Sequence, residues 1–280
     1  MGKYHRPCSL KEALDVLATL HVTVAAGCTD LFPATEKQRV QGNVLDITAI
    51  EELRGIVETE VGWRIGASTT WTDLLETNLP CGFNMLKEAA REVGSIQIQN
   101  VGTVVGNLCN ASPAADGIPP LLALNAEIEL ASSGGNRSLP LAEFLKGVRE
   151  TDLSHDEMVI AIHVPKKSGD GVSSFLKLGA RKHLVISIVM TAVRVVVREG
   201  IIREAAIAIG SCSPVAQRLT AVETKILGIP IDEAPNTLNS DDILVSISPI
   251  SDIRGSADYR LNAALELLRR ALRDIAENVR

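Results

Sequence analysis

The chain is poor in aromatic residues, in clustered basic charge and in paired cysteines. Aromatic side chains make up 3% of its 280 residues and hydrophobic residues make up 46%, which predicts a sizeable core of aliphatic side chains. The net charge is -6, and before the C-terminal helix the only basic clusters are the pairs Lys166–Lys167 and Arg181–Lys182. A nucleic-acid binder normally carries a basic patch, so this composition argues against nucleic acid as a partner.

The cysteines and histidines show no spacing that is typical of a metal site. Zinc and iron–sulfur sites use clustered ligands, whereas this chain contains no CxxC pair. We therefore predict reduced thiols, no metal site and no iron–sulfur cluster of the chain's own. The five cysteines are Cys8, Cys28, Cys81, Cys109 and Cys212.

Long apolar segments are also missing. The amino terminus reads MGKYHRPCSLKEAL, which lacks the apolar stretch of a secretory signal. The longest apolar region, Leu184–Val197, is interrupted by Ser187, Thr191 and Arg194 and is too short and polar to span a bilayer. The sequence predicts a cytoplasmic protein without membrane insertion.

Helix and strand signals alternate along the first part of the chain. Ser9 and Glu12 form a capping box that opens a helix at Leu10. Short apolar runs bounded by turn residues predict strands, and residues with helical spacing predict helices. The predicted strands are Val22–Ala26, Asn43–Ile47, Gly55–Glu58, Trp63–Gly66, Glu127–Ala131 and Met158–Val164; the further helices are Thr70–Glu76, Asn84–Val93 and Pro119–Leu124.

The segment Lys166–Gly171 is the best candidate for a domain boundary. Beyond it we predict three antiparallel strands followed by two helices. The strands are Ser174–Leu178, Val185–Val197 and Ile201–Gly210, and the helices are Pro214–Leu227, capped by Ser213, and Ala257–Arg280, capped by Ser256. The sequence thus predicts an α+β chain with one domain at 1–165, in lobes of about 1–55 and 56–165, and a smaller one at 172–280.

Two glycine-containing segments carry the chemistry. Gly102–Asp116, read as GTVVGNLCNASPAAD, combines glycines, Thr, Asn and Ser with an acidic end. Ala25–Leu31, read as AAGCTDL, follows a predicted strand. Glycine lets the main chain approach a ligand, and free N–H groups in such turns bind anions. Neither segment reads GxxxxGK[ST] or GxGxxG, which excludes a P-loop and a Rossmann fingerprint.

Each segment also has a plainer interpretation. Ala25–Leu31 fits a strand-to-helix turn with Thr29 or Asp30 as the N-cap, and Gly102–Asp116 fits an irregular surface loop. The presence of both in one chain favours a single diphosphate-bearing ligand held between them.

At this point the sequence resembles a known family. VAAGCTDL is similar to an AGGTDL loop, and QIQNVGTVVGNLCNASPAAD is similar to a QIRNxGTIGGNxxxxSPAxD segment. Both belong to the FAD-binding medium subunits of molybdenum hydroxylases, such as the xanthine, carbon monoxide and nicotinate dehydrogenases. The resemblance covers nearly the whole chain. It implies an FAD-binding domain of the vanillyl-alcohol oxidase and p-cresol methylhydroxylase type, followed by a small domain of three antiparallel strands and helices.

The resemblance implies a set of FAD-binding positions. Two stretches wrap the pyrophosphate, Asp116 helps to hold FAD, Val159 offers a main-chain contact, and Lys177 lies near the isoalloxazine ring. A surface lysine is the plainer interpretation of Lys177. The implied positions are Ala25, Ala26, Gly27, Cys28, Thr29, Asp30, Leu31, Thr103, Val104, Val105, Gly106, Asn107, Asp116, Val159 and Lys177.

Three positions depart from the family pattern. Cys28 and Val105 stand where glycine is usual, and Gln99 stands where arginine is usual. A β-branched residue at Val105 would be strained if the backbone there had positive φ.

The resemblance implies an electron-transfer role with non-covalent FAD. A large molybdopterin-binding subunit and a small subunit with two iron–sulfur clusters would be the partners, and NAD+ or another acceptor would take the electrons. The protein would supply position and electrostatics, so no catalytic acid or base is assigned. Two alternatives remain: a stand-alone flavin reductase of the same fold, and a non-enzymatic nucleotide-binding sensor.

Overall fold

The computed structural model of the protein describes residues 2–35 and 40–279. It begins with a small sheet of three parallel strands in the order β1-β3-β2, with one helix between β1 and β2. The elements are β1 (Tyr4–His5), α1 (Leu10–Thr19), β2 (Val22–Ala25) and β3 (Asn43–Asp46). The Ser9 hydroxyl accepts a hydrogen bond from the Glu12 N–H as predicted, but the other half of the predicted capping box differs, since the Glu12 carboxylate accepts from the Cys8 N–H and not from Ser9. Because β2 and β3 are parallel, the loop that leaves β2 lies at the carboxyl edge of this sheet.

A five-stranded antiparallel sheet with flanking helices follows, in the order β4-β5-β10-β6-β7. A separate two-stranded hairpin, β8–β9, lies before β10. The bounds are β4 (Ile56–Glu58), β5 (Gly62–Gly66), α2 (Trp71–Glu76), α3 (Asn84–Glu92), α4 (Ile96–Gln99), α5 (Val104–Cys109), α6 (Ile118–Ala123), β6 (Glu127–Ser132), β7 (Gly135–Pro140), α7 (Leu141–Phe144), β8 (Leu145–Gly147), β9 (Glu150–Thr151) and β10 (Met158–Pro165).

The last part of the chain forms an antiparallel sheet covered by helices. The three predicted strands are present, and a two-residue strand joins them in the order β11-β12-β13-β14. Glu199 and Gly200 both have positive φ, which suits the tight turn between β12 and β13. The bounds are β11 (Val172–Leu178), β12 (Val189–Arg198), β13 (Ile201–Gly210), β14 (Gln217–Arg218), α8 (Thr220–Ile226), α9 (Ala234–Thr237), α10 (Ser240–Leu244) and α11 (Ala257–Asn278). Short 3-10 helices occupy Glu51–Leu53, Cys81–Phe83 and Lys166–Gly169.

Two hydrophobic clusters form the core. The larger one fills the first two sheets and extends to Phe175, Met190 and Ala192, so the C-terminal sheet packs against it with one face. The other face of that sheet packs against α8 and α11 in the second cluster. Both clusters are mainly aliphatic, as the composition predicts. Within the described residues, no helix is long and apolar enough to cross a membrane.

Three predicted elements differ from the observed ones. Strand β12 begins at Val189, because residues 179–187 leave the sheet as a loop. The helix predicted from Pro214 begins only at Thr220: Gln217–Arg218 pair with β13 instead, and the Ser213 hydroxyl accepts from the Ser248 N–H. Gly102–Asp116 is not a continuous loop, since it contains α5. In the second and third cases, local signals such as a Ser-Pro cap or a glycine are overridden by pairing and packing with distant residues.

Candidate functional site

A cavity of about 770 Å³ lies where the two glycine segments meet. Fourteen of the fifteen predicted site residues line it; Val104, the first residue of α5, is the exception, and its side chain is fully buried in the core. The structure therefore brings together residues from the loop after β2, from α5 and the turn behind it, from β10 and from β11. A volume of this size is in the range of sites that hold small molecules and cofactors.

The two segments touch through glycine. A Cβ atom on Gly27 would lie 1.9 Å from the carbonyl oxygen of Val101 and 2.8 Å from the Cα of Gly102. On the opposite side, a Cβ atom on Gly102 would lie 2.9 Å from the carbonyl oxygen of Ile98 and 3.3 Å from the Thr29 hydroxyl. Only residues without side chains permit this approach. The glycines thus bring two walls of the cavity into direct contact: the loop Ala25–Leu31 and the segment that contains α5.

The loop Gly27–Leu31 offers unpaired backbone donors. Among the residues that the structure describes, no acceptor is found for the N–H groups of these five residues, while the Cys28 and Asp30 carbonyls accept from Phe32 and Ala34. Unpaired N–H groups seldom persist in proteins unless water or a ligand accepts from them. All five residues line the cavity, so this loop can hold an anionic group.

The second wall is a short capped helix rather than the predicted loop. The Thr103 hydroxyl accepts from the Gly106 N–H at 2.9 Å, and the Val104 N–H donates to Thr69 O at 3.0 Å. A side chain on Gly106 would collide with that hydroxyl, because its Cβ atom would lie 2.7 Å from Thr103 Oγ1. The Asn107 side-chain oxygen accepts from the Gly117 N–H. Many polar groups of this wall are already used within the protein, but among the described contacts no acceptor is found for the N–H groups of Thr103 and Val105 or for the Asn107 amide nitrogen.

A buried ion pair closes one side of the cavity. Lys177 Nζ lies 2.6 Å from Asp116 Oδ2, and both side chains are less than a tenth exposed. The Ser187 hydroxyl donates to the other carboxylate oxygen at 2.6 Å, and Lys177 also donates to Glu92 O at 3.3 Å. Burial raises the pKa of Asp116, and the charge of Lys177 opposes that rise. Lys177 is therefore not a surface lysine, and its positive charge is already matched by Asp116.

The three departures from the family pattern have different structural contexts. Cys28 has φ 57, so the position where glycine is usual does require a left-handed backbone. Val105 lies inside α5 and is absent from the positive-φ residues, so the strain considered for it does not arise. Gln99 is buried and its side-chain amide donates to the carbonyls of Arg91 and Val93, which secures the end of α3.

Three functional candidates were not predicted from the sequence. Ser187 supports the Asp116 carboxylate, while Asn110 and Arg149 line the cavity and hydrogen-bond to each other. Asn110 falls in the second glycine segment, so its polar side chain is a usable signal. Arg149 and Ser187 come from distant parts of the chain, and no local pattern distinguishes them from ordinary surface residues.

Cys212 is a buried thiol, Cys28 and Cys109 are partly buried, and Cys8 and Cys81 are exposed. Burial raises the pKa of Cys109 and of Cys212 to about 12 and also raises that of Cys28. All five cysteines are free, and among the described residues no group of three or more His, Cys, Asp or Glu side chains could hold a metal ion.

Comparison with known proteins identifies the family. Residues 1–167 match the family model described as the FAD binding domain in molybdopterin dehydrogenase, and residues 174–275 match the CO dehydrogenase flavoprotein C-terminal domain. The chain belongs to this family. It is an oxidoreductase subunit whose cofactor is FAD.

Known proteins align with almost the whole length of this chain. The xanthine dehydrogenase FAD-binding subunit of Escherichia coli O157:H7 is 31% identical over 93% of this chain and 91% of its own length. The carbon monoxide dehydrogenase medium chain of Hydrogenophaga pseudoflava is 28% identical over 96% of this chain and 95% of its own length. The solved structure of carbon monoxide dehydrogenase from Hydrogenophaga pseudoflava, in a form that lacks the Mo-pyranopterin moiety, superposes with a TM-score of 0.87 at 29% identity, covering 98% of this chain and 96% of that chain.

The cavity of this FAD-binding chain fits the cofactor on structural grounds. The wall at Gly27 and Gly102 leaves no room for side chains, and the adjoining loop presents unpaired N–H groups suited to a pyrophosphate. On another side, Asp116 and Lys177 add a buried carboxylate and ammonium to the cavity lining.

Proposed function

We propose that this chain is the electron-transfer subunit of a molybdenum hydroxylase, taking electrons from iron–sulfur clusters on a partner chain and passing them to NAD+ or another acceptor. The observation that carries the proposal is the cavity wall at Gly27 and Gly102, where two backbones touch and N–H groups are left unpaired. When bound, FAD supplies the exchange between one-electron and two-electron transfer.

The residues of the chain bind and orient the cofactor in this proposal. The N–H groups of Gly27–Leu31 would donate to the pyrophosphate, and the unpaired N–H of Val105 would donate from the second wall. Val159, on β10, contributes its main chain to the same cavity. Lys177, held in place by Asp116, would stabilise negative charge on the ring system of the bound cofactor.

The remaining predicted positions complete the cavity. We propose that Ala25 and Ala26 leave space for the cofactor and that Cys28, Thr29, Asp30 and Leu31 form the loop around its phosphates. Thr103, Val104, Gly106 and Asn107 would hold the second wall, with Val104 acting from beneath it. We retain the predicted division into domains at 1–165 and 172–280 as a proposal of the same kind.

Partners are proposed from the family as well. The relatives include a carbon monoxide dehydrogenase medium chain and a glyceraldehyde dehydrogenase medium chain, which are named as components of larger enzymes. A large molybdopterin-binding subunit and a small subunit with two iron–sulfur clusters would supply the electrons to this chain, and we place the complex in the cytoplasm.

The first experiment is a visible spectrum of the purified chain after gel filtration, with release and identification of any flavin. Stoichiometric, non-covalent FAD is the expected result, and anaerobic addition of NADH should bleach the flavin band if NAD+ is the acceptor. A folded chain that takes up no flavin from an excess of FAD would contradict the proposal and favour a nucleotide-binding sensor. Co-purification with molybdenum and iron distinguishes a complex subunit from a stand-alone flavin reductase.

A further inference from the structure

One cationic side chain of the cavity has no carboxylate partner. Arg149 is exposed, lines the cavity and, among the described residues, forms no salt bridge. The other lining cation, Lys177, is matched by Asp116. The Arg149 guanidinium donates to Asn110 Oδ1, and since arginine carries five N–H donors, most of them remain available.

The backbone that carries Arg149 is held in a fixed position. Arg149 lies between β8 and β9 with φ 60, and its N–H donates at 2.9 Å to the carbonyl of Ala111, which has φ 44. Two neighbouring left-handed residues that are not glycine, joined by a hydrogen bond, are unusual outside functional sites. The hairpin is thereby fastened to the turn behind α5, and the guanidinium is aimed by both its backbone and Asn110.

Arg149 lies away from the wall that we assign to the pyrophosphate of FAD. Gly27 and Gly102 meet at the N-terminal end of α5, whereas Asn110 caps its C-terminal end. The six residues of α5 separate Thr103 from Asn110, and the resulting seven steps along the helix correspond to about 10 Å. An anion bound by Arg149 would therefore be distinct from the pyrophosphate that we assign to the wall at Gly27 and Gly102. An arginine with a free planar fork is suited to bidentate recognition of phosphate.

We propose that Arg149, oriented by Asn110, recognises a phosphate of the dinucleotide electron acceptor at the mouth of the cavity. This inference rests on the proposed function, because it assumes that FAD fills the interior and that the acceptor approaches from the side of Arg149. Arg149 would be a specificity-determining residue: it favours acceptors that carry phosphate and takes no part in the transfer itself.

The test uses the full chain loaded with FAD and anaerobic flavin reduction, followed in a stopped-flow instrument. The hydride donors are NADH and 1-benzyl-1,4-dihydronicotinamide, which has the same reactive ring and no phosphate. For Arg149→Ala we expect the half-saturating NADH concentration to rise about tenfold, which is typical of one lost phosphate contact. The rate with the benzyl compound should change by less than about twofold, and Arg149→Lys should recover part of the loss. The charge-matched control is Arg203→Ala, on the exposed side of β13 and outside the cavity lining.

Each outcome has a distinct meaning. Equal NADH dependence of wild type and Arg149→Ala overturns the inference and leaves the proposed function intact. Loss of FAD from Arg149→Ala, or slowing with both donors, overturns it as well and assigns Arg149 to the cofactor. A wild-type chain that is full of FAD and inert to NADH overturns both this inference and NAD+ as acceptor, while FAD binding stands. A chain without FAD contradicts the proposed function itself.

Discussion

The loop Ala25–Leu31 and the helix α5 lie against each other, yet they differ in what their backbones offer to a ligand. The loop leaves five consecutive N–H groups, from Gly27 to Leu31, without an acceptor among the described residues. In α5 and its cap, the N–H groups of Val104, Gly106 and Asn107 are bonded within the protein. Because an unpaired donor gains most from a ligand, binding energy should come mainly from the loop, whereas α5 serves as a rigid frame.

The largest expected effect concerns the buried pair behind α5. Lys177→Met leaves the Asp116 carboxylate buried without its cation, which should cost about 3–5 kcal/mol of unfolding free energy, measured by urea denaturation of the chain without FAD. The control is Lys225→Met, since Lys225 pairs with Asp242 at 2.7 Å and is partly exposed; its loss should be below about 1 kcal/mol.

The double variant Lys177→Met with Asp116→Asn sharpens this result. Removing both charges should recover a large part of the lost stability, because no buried charge is left unmatched. If Lys177→Met and Lys225→Met lowered the unfolding free energy equally, the buried Lys177–Asp116 pair would contribute no more to stability than a partly exposed pair.

The next effect tests the contact between the two walls. Gly27→Ala places a methyl group 1.9 Å from the Val101 carbonyl oxygen, so the loop must move away from α5. Overpacking of this kind costs about 1–3 kcal/mol, and we expect FAD affinity to fall by about 10- to 100-fold in a fluorescence titration. Gly134→Ala is the matched control, because its nearest neighbour would be 3.6 Å away. Circular dichroism shows whether the fold persists; unchanged FAD affinity in a folded Gly27→Ala chain would refute the assigned wall.

The segment before β10 differs from the loop and from α5, because partly exposed ion pairs hold it. Arg137 contacts Glu157 at 2.6 Å and Asp152 at 2.8 Å, beside the segment that leads into β10. The Arg137 guanidinium lowers the pKa of Glu157 to about 2 from an ordinary value of 4.5. A carboxyl group whose pKa is lower in the folded state contributes stability above pH 4.5, which is lost as the pH falls towards 2.

Because Arg137 is partly exposed, solvent screening reduces this contribution to about 1–2 kcal/mol. Unfolding free energies at pH 7 and pH 3 should therefore differ less in Glu157→Gln than in wild type. An identical pH dependence in both proteins would rule out this contribution.

The parts of this structure that could be predicted are those governed by local chemistry. The Ser9 and Ser256 caps and the Glu199–Gly200 turn are each fixed by a few adjacent residues. The two glycine segments were recognised because close approach requires glycine, and their contact explains why. The start of α8 at Thr220 was missed because pairing of Gln217–Arg218 with β13 depends on residues far away in the chain.

The candidate site shows the same division. The two glycine segments could be found from their composition, but the hydrogen bonds and ion pairs of the side chains around the cavity could not. Lys177 was predicted as a cation near the ring system, but its pairing with Asp116 was not, because Asp116 lies 61 positions from Lys177 and 71 positions from Ser187, which both donate to its carboxylate. The sequence around Arg149 contains no pattern that predicts a site residue, because the position of Arg149 depends on its hydrogen bond to Ala111, which is distant in the chain and has a left-handed backbone.

The smallest expected effect comes from a comparison of Cys28 and Val105, two departures from the family pattern that lie in the loop and in α5. Cys28 has φ 57 in the loop, whereas Val105 has helical backbone in α5 and a buried side chain. A left-handed residue other than glycine costs about 1–2 kcal/mol of folding free energy. Glycine avoids this cost, but part of the gain is lost because glycine increases the conformational entropy of the unfolded chain. Cys28→Gly should therefore stabilise the chain by about 0.5–1 kcal/mol in urea denaturation. Val105→Gly should destabilise it by at least about 1 kcal/mol, because glycine is unfavourable inside a helix.

FAD affinity of Cys28→Gly should stay within about threefold of wild type, since the backbone donors are unchanged. Destabilisation by both substitutions would mean that the Cys28 side chain, through its contact with the Ala26 carbonyl at 3.4 Å, stabilises the loop more than its backbone strains it.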